Sequence, residues 1–140
     1  MPEPPLLLDT HCWIWMQGGL EPRFSPEGLI TLQKAARDAN LMVSAISVWE
    51  VALLESKRRI SLDMDCTRWI REALDTPGLT LVPLTPEIAV HSTRLPGDFH
   101  GDPADRIIVA TARLEGARLL TKDRKLLDYG RLRYVSAIPA

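Results

Sequence analysis

The sequence lacks a large excess of charge of either sign, a long apolar run and a basic leader. Its 17 basic and 18 acidic residues give a formal net charge of -1, so no global positive charge marks it as a nucleic-acid binder, and a polyanion would have to meet a local basic patch. No apolar run approaches the roughly 18 residues that a membrane-spanning helix needs. Residues 1–5 contain no basic cluster and precede only three leucines, which argues against a secretory signal. We therefore predict a cytoplasmic protein without a membrane association.

Cysteine and the usual catalytic motifs are also scarce. Cys12 and Cys66 stand alone without metal-site spacing, which favours reduced thiols over a disulfide. Zinc signatures, glycine-rich phosphate loops and Ser-His-Asp arrangements are missing, and the three histidines form no closely spaced pair. For His100, contact with a phosphate is an alternative to simple exposure. The 140 residues, 46% of them hydrophobic, are typical of one globular domain, 1–140, that is large enough to bury a core.

Short apolar segments alternate with helical patterns along the chain. The strands are apolar throughout, as strands buried on both faces are, and the alternation predicts an α/β fold whose parallel sheet carries helices on both sides. The loop 95–103, rich in Pro, Gly, Asp and His, is predicted to be the most mobile segment. The predicted strands are 6–8, 41–44, 79–82 and 118–121, with a possible last strand at 134–135. The predicted helices are 10–15, 26–39, 46–58, 65–74, 86–95, 103–115 and 123–128.

Four acidic residues lie at or near the ends of these apolar segments. Ligands of open α/β sheets bind outside the carboxyl ends of the strands, where all four could converge. Two carboxylates about 4 Å apart repel by roughly 4 kcal/mol at an effective dielectric constant near 20. Such a cluster needs shared protons or a bound cation, and a hard divalent ion is the simpler answer. The four residues are Asp9, Glu50, Asp105 and Asp123.

Three of the four acids also have an ordinary structural explanation. Asp9 and Asp123 can cap the helices that follow them, and Asp105 suits the first turn of a helix that Asp102 would cap. Glu50 is different, because its neighbours leave no continuous polar face on that helix, and a buried glutamate needs a partner. Basic residues beside these acids are either solvated surface or contacts for a polyanion. They are Arg106, Lys122, Arg124, Lys125 and residues 57–59.

Taken together, four segments resemble the PIN domain proteins, and especially the VapC-type toxins of bacterial toxin–antitoxin pairs. The segments are 7–11, 44–50, 102–112 and 120–123, in the family's order and spread over essentially the whole chain. The resemblance implies a three-layer α/β/α PIN-like fold with a short parallel central sheet. It also implies an endoribonuclease that depends on Mg²⁺ or Mn²⁺, forms a homodimer and is inhibited by a cognate VapB-type antitoxin, whose C-terminal segment would occupy the active-site groove.

The resemblance also assigns roles to residues. Thr10, Ser47 and Thr121 match small hydroxylic positions beside the acids. Some relatives carry a further acid two residues beyond the fourth one, and the lysine at that position here, Lys125, puts a full second metal site in doubt. Asp102 is a candidate for the outer shell of the site. The family's catalytic and metal-binding acids are matched by Asp9, Glu50, Asp105 and Asp123.

Within this set, we expect Asp9 and Asp105 to be the most direct metal ligands, with Asp123 completing the site. Glu50 would bind through water or orient the nucleophile. One alternative is a catalytically silent PIN-like module that binds RNA or serves as a scaffold. A phosphatase of the haloacid dehalogenase type is disfavoured, because it needs a second aspartate at the position of His11. Residues 13–16 are expected to form a protein-binding or dimer surface, with core packing as the alternative.

Overall fold

Five short parallel strands form the central sheet of the computed structural model, which describes residues 2–140. The strand order is β3-β2-β1-β4-β5, and every neighbouring pair runs parallel. The strands are β1 (Leu6–Leu8), β2 (Leu41–Ser44), β3 (Leu79–Val82), β4 (Arg118–Thr121) and β5 (Ser136–Pro139). The helices are α1 (Thr10–Gln17), α2 (Pro26–Arg37), α3 (Ala45–Ser56), α4 (Cys66–Leu74), α5 (Pro86–Ser92), α6 (Pro103–Glu115) and α7 (Arg124–Arg131), with a 3-10 turn at Glu21–Arg23.

The predicted three-layer α/β/α arrangement is confirmed, and the side chains of β1 show how the layers form. Leu6 and Leu8 point to one face of the sheet and Leu7 to the other, and all three are fully buried. Each such leucine contributes about 1.5–3 kcal/mol when it is taken out of water. The first face packs against α1, α2, α3 and α4, and the second against α5, α6 and α7. Apolar residues at every position of β1 are therefore explained by a core on both sides.

The last strand differs from its prediction. It was expected at 134–135, but β5 begins at Ser136, which pairs with Arg118 of β4. Arg133 adopts a left-handed conformation with φ 65°, and the Tyr134 ring packs 5.1 Å from the Tyr129 ring, so the chain is still turning at these positions. Tyr134 and its neighbour have high strand propensity, but pairing with β4 sets the position of the strand.

Helix boundaries shift by a few residues from the prediction. Helices α2 and α3 end earlier than expected, because Ala39 (φ 53°) and Arg58 (φ 58°) take up left-handed conformations just beyond their caps. Helix α5 ends at Ser92, and α7 continues to Arg131. The bounds of α6 are confirmed, with Asp102 as its cap and Gly116 ending it at φ 61°.

Other sequence predictions concern thiols and the aromatic segment after β1. Cys12 is buried and Cys66 half-buried, and both are free thiols, as predicted. Burial raises the pKa of the Cys12 thiol, so this residue is a poor nucleophile. Trp13 is fully buried, 5.4 Å from the ring of Trp69, and the core alternative is therefore correct for this residue. Across residues 2–140, no helix has the length and apolar character needed to span a bilayer.

The strand order places a switch point beside β1. From β1 the chain moves outward to β2 and β3, then crosses to β4 and β5 on the other side of β1. The carboxyl ends of β1 and β4, which are paired neighbours, therefore flank the position where open α/β sheets bind ligands. Asp9 follows one of these strands directly and Asp123 follows the other.

Candidate acidic catalytic site

The structure brings the four predicted acids into one open pocket of about 360 Å³ at this switch point. Asp9 and Asp123 enter it from the ends of β1 and β4, Glu50 from α3 and Asp105 from the first turn of α6. The convergence expected from the sequence is thus observed, while the catalytic role of each acid stays a prediction. The remaining lining residues are Thr10, His11, Trp15, Asp102, Ile108, Lys122, Lys125 and Leu126.

Asp9 is held on both of its carboxylate oxygens. Its Oδ1 accepts a hydrogen bond from the Cys12 backbone N–H at 2.8 Å, so it caps α1 as its structural explanation required. Its Oδ2 accepts from the hydroxyl of Thr121, at the end of β4. That same hydroxyl accepts from the Asp123 backbone N–H at 3.0 Å. Thr121 therefore links the first acid to the fourth across the two central strands, and capping and site formation are compatible roles for Asp9.

Glu50 has the partner that its apolar surroundings demanded. The Thr10 hydroxyl donates to Glu50 Oε1 and lies 2.9 Å from the hydroxyl of Ser47, and both hydroxyls are buried. Burial of the carboxyl group raises the pKa of Glu50, and the negative charges of Asp105 and Asp102 raise it further. Two hydroxylic residues thus position a carboxylate that binds protons more readily than an exposed glutamate does.

Asp105 and Asp123 share a lysine. The Lys125 ammonium nitrogen lies 3.6 Å from Asp105 Oδ2 and 3.5 Å from Asp123 Oδ2. Burial raises the pKa of Asp105, as does the charge of Asp102, while Lys125 acts in the opposite direction. The two carboxylates raise the pKa of Lys125, which keeps it cationic. Asp102 is exposed, and its Oδ1 accepts from the Asp105 backbone N–H at 2.9 Å, so its observed contact is that of a helix cap.

The flanking basic residues divide into two groups. The guanidinium of Arg106 donates to the carbonyls of Ser92 at 2.9 Å and of Phe99 at 3.0 Å, so it anchors the loop before α6 and does not face the pocket. Lys122 lines the pocket, donates to the Arg23 carbonyl and lies 5.6 Å from the centre of the Trp15 ring. Of these two basic residues, only Lys122 is therefore available to a polyanion at this site.

Two histidines, His11 and His100, differ in their position relative to the acidic pocket. His11, which sequence reasoning did not assign to the site, lines the pocket as an exposed residue. The sequence feature that could have indicated this is the position of His11 directly after Thr10, in the first turn of α1. His100 lies instead in an adjacent groove with Phe99 and Tyr129.

The donor chemistry of the pocket suits a hydrated Mg²⁺ or Mn²⁺ ion. Among residues 2–140, no three His, Cys, Asp or Glu side chains are close enough to hold one ion as a ready-made cage. Each of the four carboxylates has a protein partner, either a hydroxyl group or the ammonium of Lys125. Mg²⁺ usually keeps several waters and is bound through one or two carboxylates, so the carboxylate oxygens of this pocket fit such an ion without a cage.

Comparison with solved structures confirms the fold. VapBC2 from Rickettsia felis, in a crystal structure with a DNA fragment from its promoter, matches with a TM-score of 0.67 and 15% identity over 96% of this chain and 97% of that one. DNA-bound VapBC from Salmonella typhimurium matches with a TM-score of 0.66 and 17% identity over 98% of both chains. At these identities the likeness concerns the fold alone.

Sequence comparison identifies the family. Ribonuclease VapC22 of Mycobacterium tuberculosis is 38% identical over 125 residues, which are 89% of this chain and 91% of that protein. The family model of the PIN domain matches residues 6–132, a range that contains all four acids of the pocket. The chain therefore belongs to the PIN domain family.

Proposed function

We propose that this protein is a divalent-metal-dependent endoribonuclease that acts as the toxin of a type II toxin–antitoxin pair. The observation that carries the proposal is the pocket in which Asp9, Glu50, Asp105 and Asp123 converge. The 38% identity to a ribonuclease, over nearly the full length of both chains, supports RNA as the substrate. The reaction is hydrolysis of a phosphodiester bond, in which water replaces one ester oxygen on phosphorus.

In this proposal each side chain has a distinct task. Asp9 and Asp105 are the direct ligands, and Asp123 completes the set. Mg²⁺ or Mn²⁺, when bound, polarises the scissile phosphate and makes an attacking water more acidic. Glu50, set back on α3 and held by Thr10, is placed to accept a proton from that water or to orient it. Its raised pKa favours this role, because a carboxylate that binds protons more readily is a better base.

Two hydroxyl groups support the acids in this mechanism. Thr121 fixes the orientation of Asp9 and ties it to the loop that carries Asp123. Thr10 fixes the orientation of Glu50 through the hydrogen bond from its hydroxyl group. Partners of this kind typically change metal affinity or activity about 10–100-fold when they are removed. At the rim, the Lys122 ammonium and the exposed His11 provide positive charge and hydrogen-bond donors for the phosphates of a bound RNA.

The test is cleavage of structured RNA in the presence of Mn²⁺ by the wild type and by Asp9→Asn. Asparagine can still cap α1 through its side-chain oxygen, so the variant is expected to fold. Its activity should fall at least 100-fold, beyond the roughly 10–100-fold cost of losing an outer-shell partner. Glu115→Gln, an exposed residue at the far end of α6, changes the charge by the same amount and should cleave like the wild type. Equal rates for all three proteins would contradict the assignment.

The proposed partners are a VapB-type antitoxin and a second copy of the chain. The structural neighbours from Rickettsia felis and Salmonella typhimurium are described as VapBC complexes, which supports the antitoxin. Trp49, beside Glu50 on α3, is 54% exposed and offers an apolar contact near the pocket. Val90 and Leu114 are exposed in a shallow apolar groove between α5 and α6, which suits a dimer surface. Light scattering measures the molar mass with and without the product of the adjacent gene, and so tests the homodimer and the antitoxin complex. A protein that stays monomeric and does not bind this product contradicts both partners.

A further inference from the structure

We propose that the Lys125 ammonium is the counter-ion of the metal-free site and that a divalent ion must compete with it. The inference rests on the proposed function, because it concerns the same four acids. The structure shows that Lys125 is a cation that joins two of these acids, Asp105 and Asp123.

The geometry ties Lys125 to both carboxylates. Its ammonium nitrogen is 3.5 Å from Asp123 Oδ2 and 3.6 Å from Asp105 Oδ2. Its backbone N–H also donates to Asp123 Oδ1 at 2.8 Å, so the residue contacts both oxygens of that aspartate. Asp105 comes from α6 and Asp123 from the end of β4, so no local helical spacing explains why one lysine meets both.

The charge balance explains why the contact matters. Two carboxylates that both lie within 4 Å of one ammonium are close enough to repel each other, and the charge of Asp102 adds to that repulsion on Asp105. Lysine donates hydrogen bonds and has no lone pair when it is charged, so it can neutralise these acids but cannot ligate a metal. A divalent ion is attracted more strongly than an ammonium to the same oxygens and can displace it. The Lys125 side chain is 53% exposed, which leaves it free to move into solvent.

The ordinary alternative is a surface ion pair with no influence on metal binding, because exposed pairs contribute little to stability. Arg124 offers a matched control. It is the preceding residue, it is exposed, and it forms no ion pair among residues 2–140. Arg124→Gln and Lys125→Gln remove the same charge from the first turn of the same helix, and only the second removes the contact with the acids.

The experiment is calorimetric titration of Mn²⁺ into the metal-free wild type, Lys125→Gln, Lys125→Arg and Arg124→Gln. The wild type should bind Mn²⁺. Lys125→Gln should bind Mn²⁺ about fivefold more tightly, the change expected when one exposed ion-pair partner is removed. Arg124→Gln should stay within about twofold of the wild type, because its charge is screened by solvent. Lys125→Arg keeps a cation at the site and should restore wild-type affinity.

Thermal unfolding of the same proteins gives a readout that is independent of titration and activity. Without metal, Lys125→Gln should melt below Arg124→Gln, since Asp105 and Asp123 lose their counter-ion. With saturating Mn²⁺ the two variants should melt at nearly the same temperature, because the ion then replaces the lysine and its tighter binding to Lys125→Gln offsets the lost ion pair.

The outcomes separate this inference from the proposed function. Equal Mn²⁺ affinities for Lys125→Gln and Arg124→Gln, with the wild type binding normally, would overturn the role of Lys125 and leave the nuclease proposal intact. Failure of the wild type to bind Mn²⁺ at all would refute both proposals.

Discussion

Thr121 ends β4 with its side chain fully buried, and its hydroxyl serves two partners at once. It donates to Asp9 Oδ2 and accepts from the Asp123 backbone N–H at 3.0 Å. Thr121→Val removes the hydroxyl while it keeps the size and branching of the side chain. We predict that this change destabilises the protein and displaces the first acid of the pocket.

The magnitude follows from the two lost contacts. A hydrogen bond to a charged group contributes about 1.5–3 kcal/mol and a neutral one about 0.5–1.5 kcal/mol. Asp9 is only 8% exposed, so water cannot readily replace the lost donor. We therefore expect the free energy of unfolding to fall by about 3 kcal/mol. For a domain of this size the unfolding midpoint should drop by roughly 6–12 °C.

The assay is urea and thermal unfolding of the metal-free protein, with RNA cleavage measured alongside. Thr121→Ser is the matched control, because it keeps the hydroxyl and loses only a buried methyl group, at a cost of about 1 kcal/mol. Cleavage by Thr121→Val should be slower than by Thr121→Ser by about tenfold or more, since Asp9 loses the donor that orients it. If Thr121→Val lies within about 0.5 kcal/mol of Thr121→Ser, or cleaves RNA as fast, the hydroxyl does not position Asp9 and the reasoning is refuted.

Two further predictions concern pH and the loop before α6. Burial raises the pKa of Glu50 and of Asp105, so their contribution to stability is fully present below their ordinary pKa values and is lost as the pH rises through the raised ones. Glu50→Gln should therefore raise the unfolding midpoint of the metal-free protein by a few degrees at pH 7 and not at pH 4, and an equal effect at both would contradict this account. Arg106→Gln removes the donors to Ser92 and Phe99 and should cost about 1–3 kcal/mol. Limited proteolysis should then cut residues 93–102 faster than in the wild type, and an unchanged rate would count against the anchoring role.

The strands show what a sequence of this kind predicts well. Four of the five were predicted with their observed bounds, because they are short, mostly apolar runs bounded by polar or turn-forming residues. Burial on both faces was expected for all of them and is wrong for the edge strand β3, where Thr80 and Leu81 are exposed. Strand β5 was misplaced, since Tyr134 has high strand propensity but lies beside the left-handed Arg133, and pairing with β4 begins only at Ser136. Helix ends at Ala39 and Arg58 were missed for a similar reason, because neither residue type signals a left-handed conformation.

The loop 95–103 makes contacts that its composition did not indicate. Pro, Gly and Asp predicted mobility, yet Leu95 and Phe99 are buried in the core, and the Tyr129 hydroxyl donates to the Pro96 carbonyl. Arg106 adds two donors from α6. The sequence shows these side chains but not that they point toward one another, and mobility of the loop stays a prediction.

The sequence by itself determined the acids and the side of the sheet on which they meet. Asp9 directly follows β1, Asp123 lies two residues beyond β4, and the carboxyl ends of parallel strands share one edge. Glu50 lies on a helix with no continuous polar face, which indicated that its carboxylate needs a hydrogen-bond or charged partner.

Only the tertiary structure decided which side chains touch within the pocket. It joined Asp9 to Thr121, residues that lie 112 positions apart, and placed the ammonium of Lys125 between Asp105 and Asp123. The same packing committed Arg106 to the loop carbonyls, away from the site. The physical reason is that strand order and helix packing bring distant residues within hydrogen-bond distance. Local sequence patterns specify each element but not how the elements are placed against one another.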